Sequence, residues 1–540
     1  MMANSITQHI CLILAAIFAC ASLISVAYKK YPVAVALLTA AGFCIYSYAA
    51  LVCNFLNVWD EQYHALVAKN MLNHPFVPQL YTDEIVSTHG YLIWADSHIW
   101  LHKQPLFLWE IALSFKIFGV SEYALRLPSV LHCALLIPVC YRMGLLLTKR
   151  HLTGFLTAFC AAGSCFLLRL TSGMLNTDHN DVCFVFYVTC SLWVLLEYLH
   201  TDRKQWRWIV LIGLFSGAAI LTKWLVGLLV YLAWGLYLIA EYGLKIRQWH
   251  LGHLLTALFI TVLLAAPWQI YCLHQFPIVA QQEMLLNSQH FTNVIEGHGE
   301  SPLYFLQVLP FQYFGHGYKW FDNRFHWNFY TISSYLMLFT GLFLLIRSLK
   351  NRSWRITLVG MMLFVYLFFS IAATKMVGFT FVLCSVWFLS IATLLQWMAD
   401  KLYELAKHKK VCMFVLVFVG LLFGYYQTNM GNFNNECPQY VKEGYLHNKR
   451  IYQSWVCATP KDCYIFNVNS SDSSHYSPTI HIAGMFYSER QCYTELPSLE
   501  LLHRLQQQGC KVAVAVNAIT PAEYLQDSTL ILLTDSLSFY

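Results

Sequence analysis

This sequence contains unusually few charged residues. Asp, Glu, Lys and Arg make up 11% of its 540 residues, whereas 58% of the residues are hydrophobic and 16% are aromatic. Soluble globular domains carry about 25% charged residues, so this composition excludes an ordinary soluble protein. The formal net charge of +6 is not gathered into one basic face or tail, which excludes a dedicated nucleic-acid-binding protein. The class that remains is a polytopic α-helical membrane protein.

Positive charge is missing from the N-terminus as well, because the first basic residue is Lys29. The stretch IFACAS around Cys20 is similar to the end of a signal peptide. A secretory signal peptide, however, begins with a positively charged segment. We therefore expect the first apolar run to be a membrane span.

Apolar runs recur throughout the chain, many of them near the roughly 20 residues that a helix needs to cross a bilayer. Clusters of Lys and Arg fall on alternate loops between these runs, a pattern typical of the cytoplasmic side. The other loops and both termini are then external. About twelve spans are predicted, at 8–27, 33–56, 124–147, 152–172, 182–199, 208–222, 224–241, 254–273, 329–347, 354–373, 377–397 and 411–426.

The predicted transmembrane domain covers 1–426 and contains two long external loops, 57–123 and 274–328. Apolar residues recur at helical spacing after Asp60 and again at 105–118. This pattern predicts two interfacial helices in the first external loop.

The tail, 427–540, is predicted to be a small soluble α/β domain. Strand-like runs at 463–468, 511–517 and 530–535 alternate with a helical pattern at 498–508. Most of the eighteen cysteines of the chain lie in apolar runs, where a thiol behaves as a small hydrophobe. In an oxidising compartment, one or two disulfides are expected among the five tail cysteines, which are Cys437, Cys457, Cys463, Cys492 and Cys510.

Two acids, Asp60 and Glu61, stand at the point where the chain leaves the second apolar run. They are candidates for a general base or an acidic pair at an acceptor. The alternative is a helix start, where acids complement the helix dipole. Lys103 in the segment HKQP (102–105) is a candidate phosphate ligand near the membrane, or else a side chain that snorkels to the headgroups.

A family resemblance emerges from the order of these motifs. DE at 60–61, HKQP at 102–105, RLPS at 126–129, ILTKW at 220–224 and GMFYSER at 484–490 together resemble the GT-C glycosyltransferases. The similarity is greatest to the aminoarabinose–lipid A transferases and the protein O-mannosyltransferases. Further matching stretches are FG at 118–119, TDHND at 177–181, GHGESPLYFLQVLP at 297–310 and SIAATK at 370–375.

The resemblance implies a multi-pass enzyme of the bacterial inner membrane whose active site faces the periplasm. Such enzymes take a sugar from a polyprenyl-phosphate carrier, with inversion, and pass it to lipid A, another envelope glycan or a protein. Asp60 is then expected at the acceptor and Lys103 at the carrier phosphate. Two positions depart from the aminoarabinose transferases, which carry an Arg at the position of Tyr63 and a Tyr-rich stretch in place of MVGFTF (376–381).

Further cations are candidates for the donor phosphate: Lys223, Lys375 and Arg126. Lys223 and Lys375 are predicted at the external ends of spans, against the usual distribution of positive charge, although they too could snorkel. Arg126 could instead form a helical ion pair with Glu122, four residues before it. Arg169 lies within a predicted span and is expected to pair with Asp178 or Asp181.

A divalent cation (Mg²⁺, Mn²⁺, Ca²⁺ or Zn²⁺) is a candidate cofactor, although no cofactor is certain. Asp178 and Asp181, together with Asn180, offer hard oxygen ligands, or else form a solvated turn that caps the next helix. His102 and His98 are spaced for one face of a helix and for zinc, or are simply surface histidines.

The second external loop adds Glu296 and His298 as candidates for substrate or metal binding, and the family resemblance alone motivates this assignment. One rival function is a transporter or flippase of a lipid-linked sugar. Many transporters contain paired repeats, which this sequence lacks. A second rival is a non-catalytic assembly or receptor subunit whose tail does the binding.

Overall fold

The apolar runs fold as long helices in the computed structural model of the chain. The structure describes residues 2–83, 85, 94–173, 178–201, 205–316, 318–319, 324–325, 327–406, 418–420, 422, 424–427, 429, 439–469 and 479–537. The helices up to the tail are α1 Met2–Ala27, α2 Tyr31–Val52, α3 Asp60–Asn70, α4 Leu106–Phe118, α5 Glu122–Thr148, α6 His151–Ala162, α7 Cys165–Thr171, α8 Asp178–His200, α9 Trp206–Lys223, α10 Leu229–Tyr242, α11 Leu251–Gln275, α12 Pro277–Thr292, α13 Tyr304–Gln307, α14 Leu309–Phe314, α15 Phe329–Ser348, α16 Arg352–Ile371 and α17 Cys384–Ala406.

The tail contains four helices and four strands within the described residues. The helices are α18 Gln439–Ala458, α19 Ile480–Ser488, α20 Leu499–Gln507 and α21 Ala522–Leu525. The strands are β3 Cys463–Phe466, β4 Gln491–Cys492, β5 Lys511–Ala515 and β6 Ile531–Leu533, which follow a two-stranded ribbon of β1 Tyr318–Lys319 and β2 Arg324–Phe325.

Among the described residues, ten helical segments are long and apolar enough to cross a membrane. They contain eleven of the predicted spans, because the 37-residue segment Trp206–Tyr242 holds two. Trp224, with a φ of 61°, begins a short 3₁₀ turn that separates α9 from α10. The polytopic helical class is thereby confirmed, while most of the run at 411–426 lies outside the described residues.

Large apolar side chains on these helices point outward. On α1, Ile6, Ile10, Ile13 and Ile17 are 49–61% exposed. Such a row on a soluble protein would promote aggregation, but it suits a helix surrounded by lipid.

Two compact units make up the chain. The first contains Met1–Val52, Leu127–Ser172 and His179–Asn432; the second contains Cys53–Arg126, Gly173–Asp178 and Phe433–Tyr540. The second unit therefore joins the first external loop to the tail.

Small residues allow helices of the first unit to approach closely. Gly213 lies where α9 packs on α11, and Thr261 Oγ1 donates a hydrogen bond to its carbonyl oxygen at 3.1 Å. A Cβ at this position would lie 2.7 Å from the carbonyl oxygen of Ala257. Close helix contacts of this kind replace the hydrophobic effect, which is absent between helices in lipid.

In the second unit, α3 packs on α4 and on α19, and α18 packs on α19. The tail sheet is entirely parallel with strand order β4-β3-β5-β6, so the predicted strands and the helix at 498–508 are present.

The disulfides expected in the tail are absent among the described residues, because Cys457, Cys463, Cys492 and Cys510 are free thiols. Cys463 and Cys492 lie on neighbouring strands but out of register, because Cys492 pairs with Ile465.

The first of the two helices predicted in the external loop is present as α3. The nine residues from Asp60 to Ala68 are all buried, although the Asp60 side chain keeps 12% of its surface exposed.

The tight contact at Gly213 yields a stability prediction. Gly213→Ala should force α9 and α11 apart and cost about 1–3 kcal/mol, which thermal unfolding in detergent would detect as a lower midpoint. Gly235→Ala is the matched control, because a Cβ at Gly235 on α10 meets no atom within 4 Å. An unchanged midpoint for Gly213→Ala would show that this crossing tolerates a side chain.

Candidate active site

Asp60 and Lys103, the predicted base and phosphate ligand, lie side by side. Asp60 is the first residue of α3, and Lys103 precedes α4. Lys103 Nζ is 3.7 Å from Asp60 Oδ2, and the side chains are 19% and 12% exposed, respectively. A partly accessible carboxylate beside an ammonium can accept a proton from one reacting group while it leaves a positive charge for another.

Glu61 is held differently from Asp60. Its carboxylate accepts hydrogen bonds from Arg126 Nε at 2.7 Å and Nη2 at 2.9 Å, and from the backbone N–H of Asn57 at 2.6 Å. Arg126 also donates to the carbonyl oxygens of Cys53 at 2.6 Å and Phe55 at 2.8 Å. The side chains of Glu61 and Arg126 are 1% and 0% exposed, so the pair fixes the turn before α3 from inside the protein.

Gly173 packs against the same carboxylate. It has a φ of 73°, and a Cβ built there would lie 2.6 Å from Glu61 Cδ. Both its backbone conformation and the lack of space require glycine. A helical ion pair with Glu122 was the alternative for Arg126; its hydrogen bonds to a carboxylate reach Glu61.

The tail holds the same turn from its other side. Lys449 on α18 forms an ion pair with Glu122 and donates to the carbonyl oxygen of Asn54 at 2.7 Å. Tyr487 on α19 donates to Glu122 Oε1 at 2.8 Å and accepts from the backbone N–H of Leu56 at 2.9 Å. Burial and the nearby Glu122 carboxylate raise the pKa of Tyr487 well above its ordinary value, so it stays a hydrogen-bond donor.

A second contact joins α3 to the tail. Lys69, in the last turn of α3, donates to the carbonyl oxygen of Phe486 at 2.6 Å and lies 3.7 Å from Glu489. Burial lowers the pKa of Lys69, while Glu489 acts in the opposite direction. Phe486, Tyr487 and Glu489 all belong to the motif GMFYSER, which therefore lies directly on α3.

A cluster of aromatic rings includes the chain neighbours of Asp60 and Lys103, which are Trp59 and His102. The ring of His102 stacks on that of Trp94 with centroids 4.2 Å apart and planes 7° apart, and Trp59 lies 6.5 Å from Trp94. Tyr63 contacts Trp94 edge-on at 5.0 Å. The helical spacing proposed for His98 and His102 is wrong, since the segment around them is not helical and cannot present both rings on one helix face. His89 and Asp96, which lie near this pair of histidines in the sequence, were further candidates; His89 and the side chain of Asp96 lie outside the described residues.

Lys223 and Lys375, two more predicted phosphate ligands, belong to the first unit. Lys223, the last residue of α9, forms an ion pair with Asp181 on α8 and lies over the ring of Phe379 at 5.1 Å. Arg169, which we expected to pair with an acid of α8, lies over the ring of Phe311 at 4.3 Å. Asp181 thus pairs with a different cation from the one predicted, and the side chain of Asp178 lies outside the described residues.

The motifs at 297–310 and 370–375 meet in the first unit. Gly299 and Thr374 form an antiparallel bridge, and the backbone N–H of Lys375 donates to the carbonyl oxygen of His298 at 2.9 Å. The Lys375 side chain is buried, and its ammonium donates to the carbonyl oxygen of Ala372 at 2.6 Å. Glu296, by contrast, is exposed.

The oxygens that the structure describes on α8 fit a divalent cation poorly. Asp181 Oδ1 already contacts the Lys223 ammonium, whose charge opposes a cation. Asn180 Oδ1 and Asp181 Oδ2 are buried without a hydrogen-bond partner among the described residues, but Mg²⁺ and Ca²⁺ need about six oxygen ligands. We therefore derive no step through a metal.

Comparison with solved structures identifies the fold. The structure matches ArnT from Cupriavidus metallidurans bound to undecaprenyl phosphate with a TM-score of 0.59 and 16% identity, over 88% of this chain and 89% of that one. It matches the archaeal oligosaccharyltransferase AglB from Archaeoglobus fulgidus, in complex with an inhibitory peptide and a dolichol-phosphate, with a TM-score of 0.53 and 13% identity, over 87% of this chain and 65% of that one. The chain has the fold of the GT-C membrane glycosyltransferases, and the predicted resemblance is confirmed.

Sequence comparison gives a more specific similarity. Residues 102–271 match the family described as dolichyl-phosphate-mannose-protein mannosyltransferase. The undecaprenyl phosphate-alpha-4-amino-4-deoxy-L-arabinose arabinosyl transferase of Pseudomonas paraeruginosa (strain DSM 24068 / PA7) is 29% identical over 189 residues, which is 33% of this chain. The aligned segments span 32% to 46% of the lengths of the curated relatives.

Lys449 and Asn57 were not predicted from the sequence as contributors to this site. No local signal marks Lys449, because it is one of several basic residues on α18. Tyr487 lies in a motif that the sequence did single out, but nothing in that motif indicates contact with a segment more than 400 residues away.

Residues 53–57 form the turn before α3, and its contacts with the tail can be tested with Lys449→Met. It leaves the Glu122 carboxylate and the Asn54 carbonyl without their cation, so we expect a loss of about 1–3 kcal/mol and faster hydrogen–deuterium exchange in 53–60, measured by mass spectrometry. Lys511→Met is the control, because its ion pair with Asp462 is exposed. Exchange in 53–60 that is equal in the two variants would contradict the role of Lys449.

Proposed function

We propose that this protein is a glycosyltransferase that moves a sugar from a polyprenyl-phosphate carrier to an acceptor at the periplasmic face of the bacterial inner membrane. The observation that carries the proposal is the Asp60–Lys103 pair, partly accessible and 3.7 Å apart, in a chain with the GT-C fold. Two similar proteins, one an undecaprenyl phosphate–aminoarabinose transferase and one with undecaprenyl phosphate bound, support a lipid-phosphate donor.

In the proposed reaction the acceptor hydroxyl attacks the anomeric carbon from the face opposite the phosphate. The bond between the anomeric carbon and the phosphate oxygen breaks, and its electron pair leaves with the polyprenyl phosphate. Asp60 takes the proton of the hydroxyl, and Lys103 neutralises the charge that grows on the phosphate. The anomeric configuration inverts because there is a single displacement.

Lys375 and Lys223 of the first unit stay predicted phosphate ligands. The ammonium of Lys375 has three donors, of which the carbonyl oxygen of Ala372 takes one. Lys223 is charge-paired with Asp181 and is the weaker candidate. The acceptor is a lipid, an envelope glycan or a protein.

We assign Glu61 and Arg126 a positioning role rather than the catalytic and phosphate-binding roles first considered. Their exposed fractions of 1% and 0% leave no path for a substrate. Together they set the direction in which α3, and with it Asp60, begins.

Asp60→Asn tests the proposed base. An amide cannot accept the proton, so turnover of a polyprenyl-phosphate-linked sugar by purified protein should fall by about 10²–10⁴-fold, with an unchanged unfolding midpoint. Asp462→Asn on the tail surface is the control. Product formation that persists in Asp60→Asn would refute the assignment of the base.

The same assay separates an enzyme from a lipid flippase. Sugar transfer in detergent, where no bilayer divides two compartments, should proceed with wild-type protein. Mass spectrometry of envelope lipids and glycoproteins from cells that lack the gene would then identify the acceptor by a missing sugar-sized unit. No transfer in detergent, together with lipid translocation in vesicles, would favour the flippase.

A further inference from the structure

Three partly buried aromatic rings form a cluster that includes the chain neighbours of the two proposed reacting groups. Trp59 directly precedes Asp60, and His102 directly precedes Lys103. Trp94 connects them, since it stacks on His102 at 4.2 Å and lies 6.5 Å from Trp59. All three side chains are intermediate in exposure, so they are accessible in part and cannot be explained as core residues alone.

Behind these rings lies a rigid wall. Tyr63 and Trp100 are both 0% exposed and stack with centroids 6.1 Å apart and planes 4° apart. Trp100 also contacts the His102 ring edge-on at 5.8 Å. The wall fixes the orientation of His102 and Trp94 before any ligand arrives, and this reduces the entropy that binding costs.

Two further features indicate a ligand. Trp59 has a φ of 68° and a ψ of −129°, a conformation that is costly for a residue with a Cβ and that tends to occur at functional sites. The indole N–H of Trp100 and Oε1 of Gln62 are buried without a hydrogen-bond partner among the residues that the structure describes. Buried groups of this kind normally find a partner.

A sugar ring matches these surroundings. One face of a pyranose presents C–H groups that pack on aromatic rings, and its rim presents hydroxyl or amino groups that need hydrogen-bond partners. Binding sites for small molecules combine the same features, mostly aromatic walls with a few polar groups. A phosphate group by itself would contact the ammonium but would leave the aromatic rings without a partner.

We propose that Trp59, Trp94 and His102 form the subsite that binds the transferred sugar of the donor, with its phosphate at Lys103 and its anomeric carbon facing Asp60. This inference rests on the proposed function and goes beyond it, because it names the residues that recognise the sugar. Trp59 is bonded directly to Asp60 and His102 to Lys103, so each proposed reacting group has an aromatic residue beside it in the chain.

The test compares two ligands in detergent by calorimetric titration. One is a short-chain polyprenyl phosphate; the other is the same lipid with glucose, mannose or 4-amino-4-deoxyarabinose attached, taken as a panel. Wild-type protein should bind at least one sugar-bearing lipid more tightly than the bare phosphate. Trp94→Leu and Trp59→Leu should weaken that binding by about 5- to 10-fold and change binding of the bare phosphate by less than about 2-fold.

The controls separate recognition from damage to the fold. Lys103→Met should weaken both ligands, and Trp94→Phe should retain part of the preference for the sugar. Trp109→Leu removes a tryptophan whose Nε1 donates to Pro75 on an exposed part of the loop and should leave both affinities unchanged.

Failure of the inference differs from failure of the proposed function. Equal losses for the two ligands in Trp94→Leu, no loss for either, or a wild-type protein that binds the bare phosphate as tightly as every sugar-bearing lipid would each overturn the subsite alone. A wild-type protein that binds neither class of lipid would overturn the donor assignment, and the subsite with it.

Discussion

The buried ion pair between Glu61 and Arg126 is the interaction on which the rest of the second unit depends. It takes two charges out of water, which is costly unless nearly all of their hydrogen-bonding capacity is used. Here the guanidinium reaches two backbone carbonyls and the carboxylate reaches a backbone N–H, so the pair determines the path of an irregular turn that has no helix or sheet of its own. Asp60 follows three residues after that turn, so the path of the turn determines where Asp60 lies.

The five residues of the 53–57 turn are each fixed through a backbone group. Arg126 and Glu61 supply three of these contacts from the first loop, and Lys449 and Tyr487 supply the other two from the tail. Irregular backbone close to a membrane needs such partners, because lipid offers none. The tail is therefore a part of the site and cannot be described only as an appended domain.

Much of this architecture follows from local pattern. Long apolar runs predict the spans, the alternation in CYIF and KVAVA predicts tail strands, and the order of short motifs indicates the GT-C fold. Asp60 and Lys103 could be paired as candidates because the family resemblance supplied roles for both. In contrast, Arg126 was assigned to a phosphate or to Glu122, because four-residue spacing along a helix is visible in a sequence and a partner 65 residues away is not.

Other features that could not be predicted from the sequence have the same physical origin. The spacing of His98 and His102 places both rings on one face only if the segment is helical. The composition of the segment, which is polar and ends at Pro105, does not show whether it is helical. Burial of α3 depends in part on α19, which comes more than 400 residues later in the chain. The periodicity of apolar residues describes one helix or strand at a time. It does not show which distant element will pack on it.

The contact between Tyr487 and Glu122 spans 365 residues, and this separation has a consequence for the timing of biogenesis. At a synthesis rate of about 5–20 residues per second, roughly 20–70 s pass between the appearance of the first partner and that of the second. During this interval the growing polypeptide already has its early helices in the bilayer, but the turn ahead of Asp60 lacks two of its five supports. Asp60 therefore reaches its final position only after residue 487 has been synthesised.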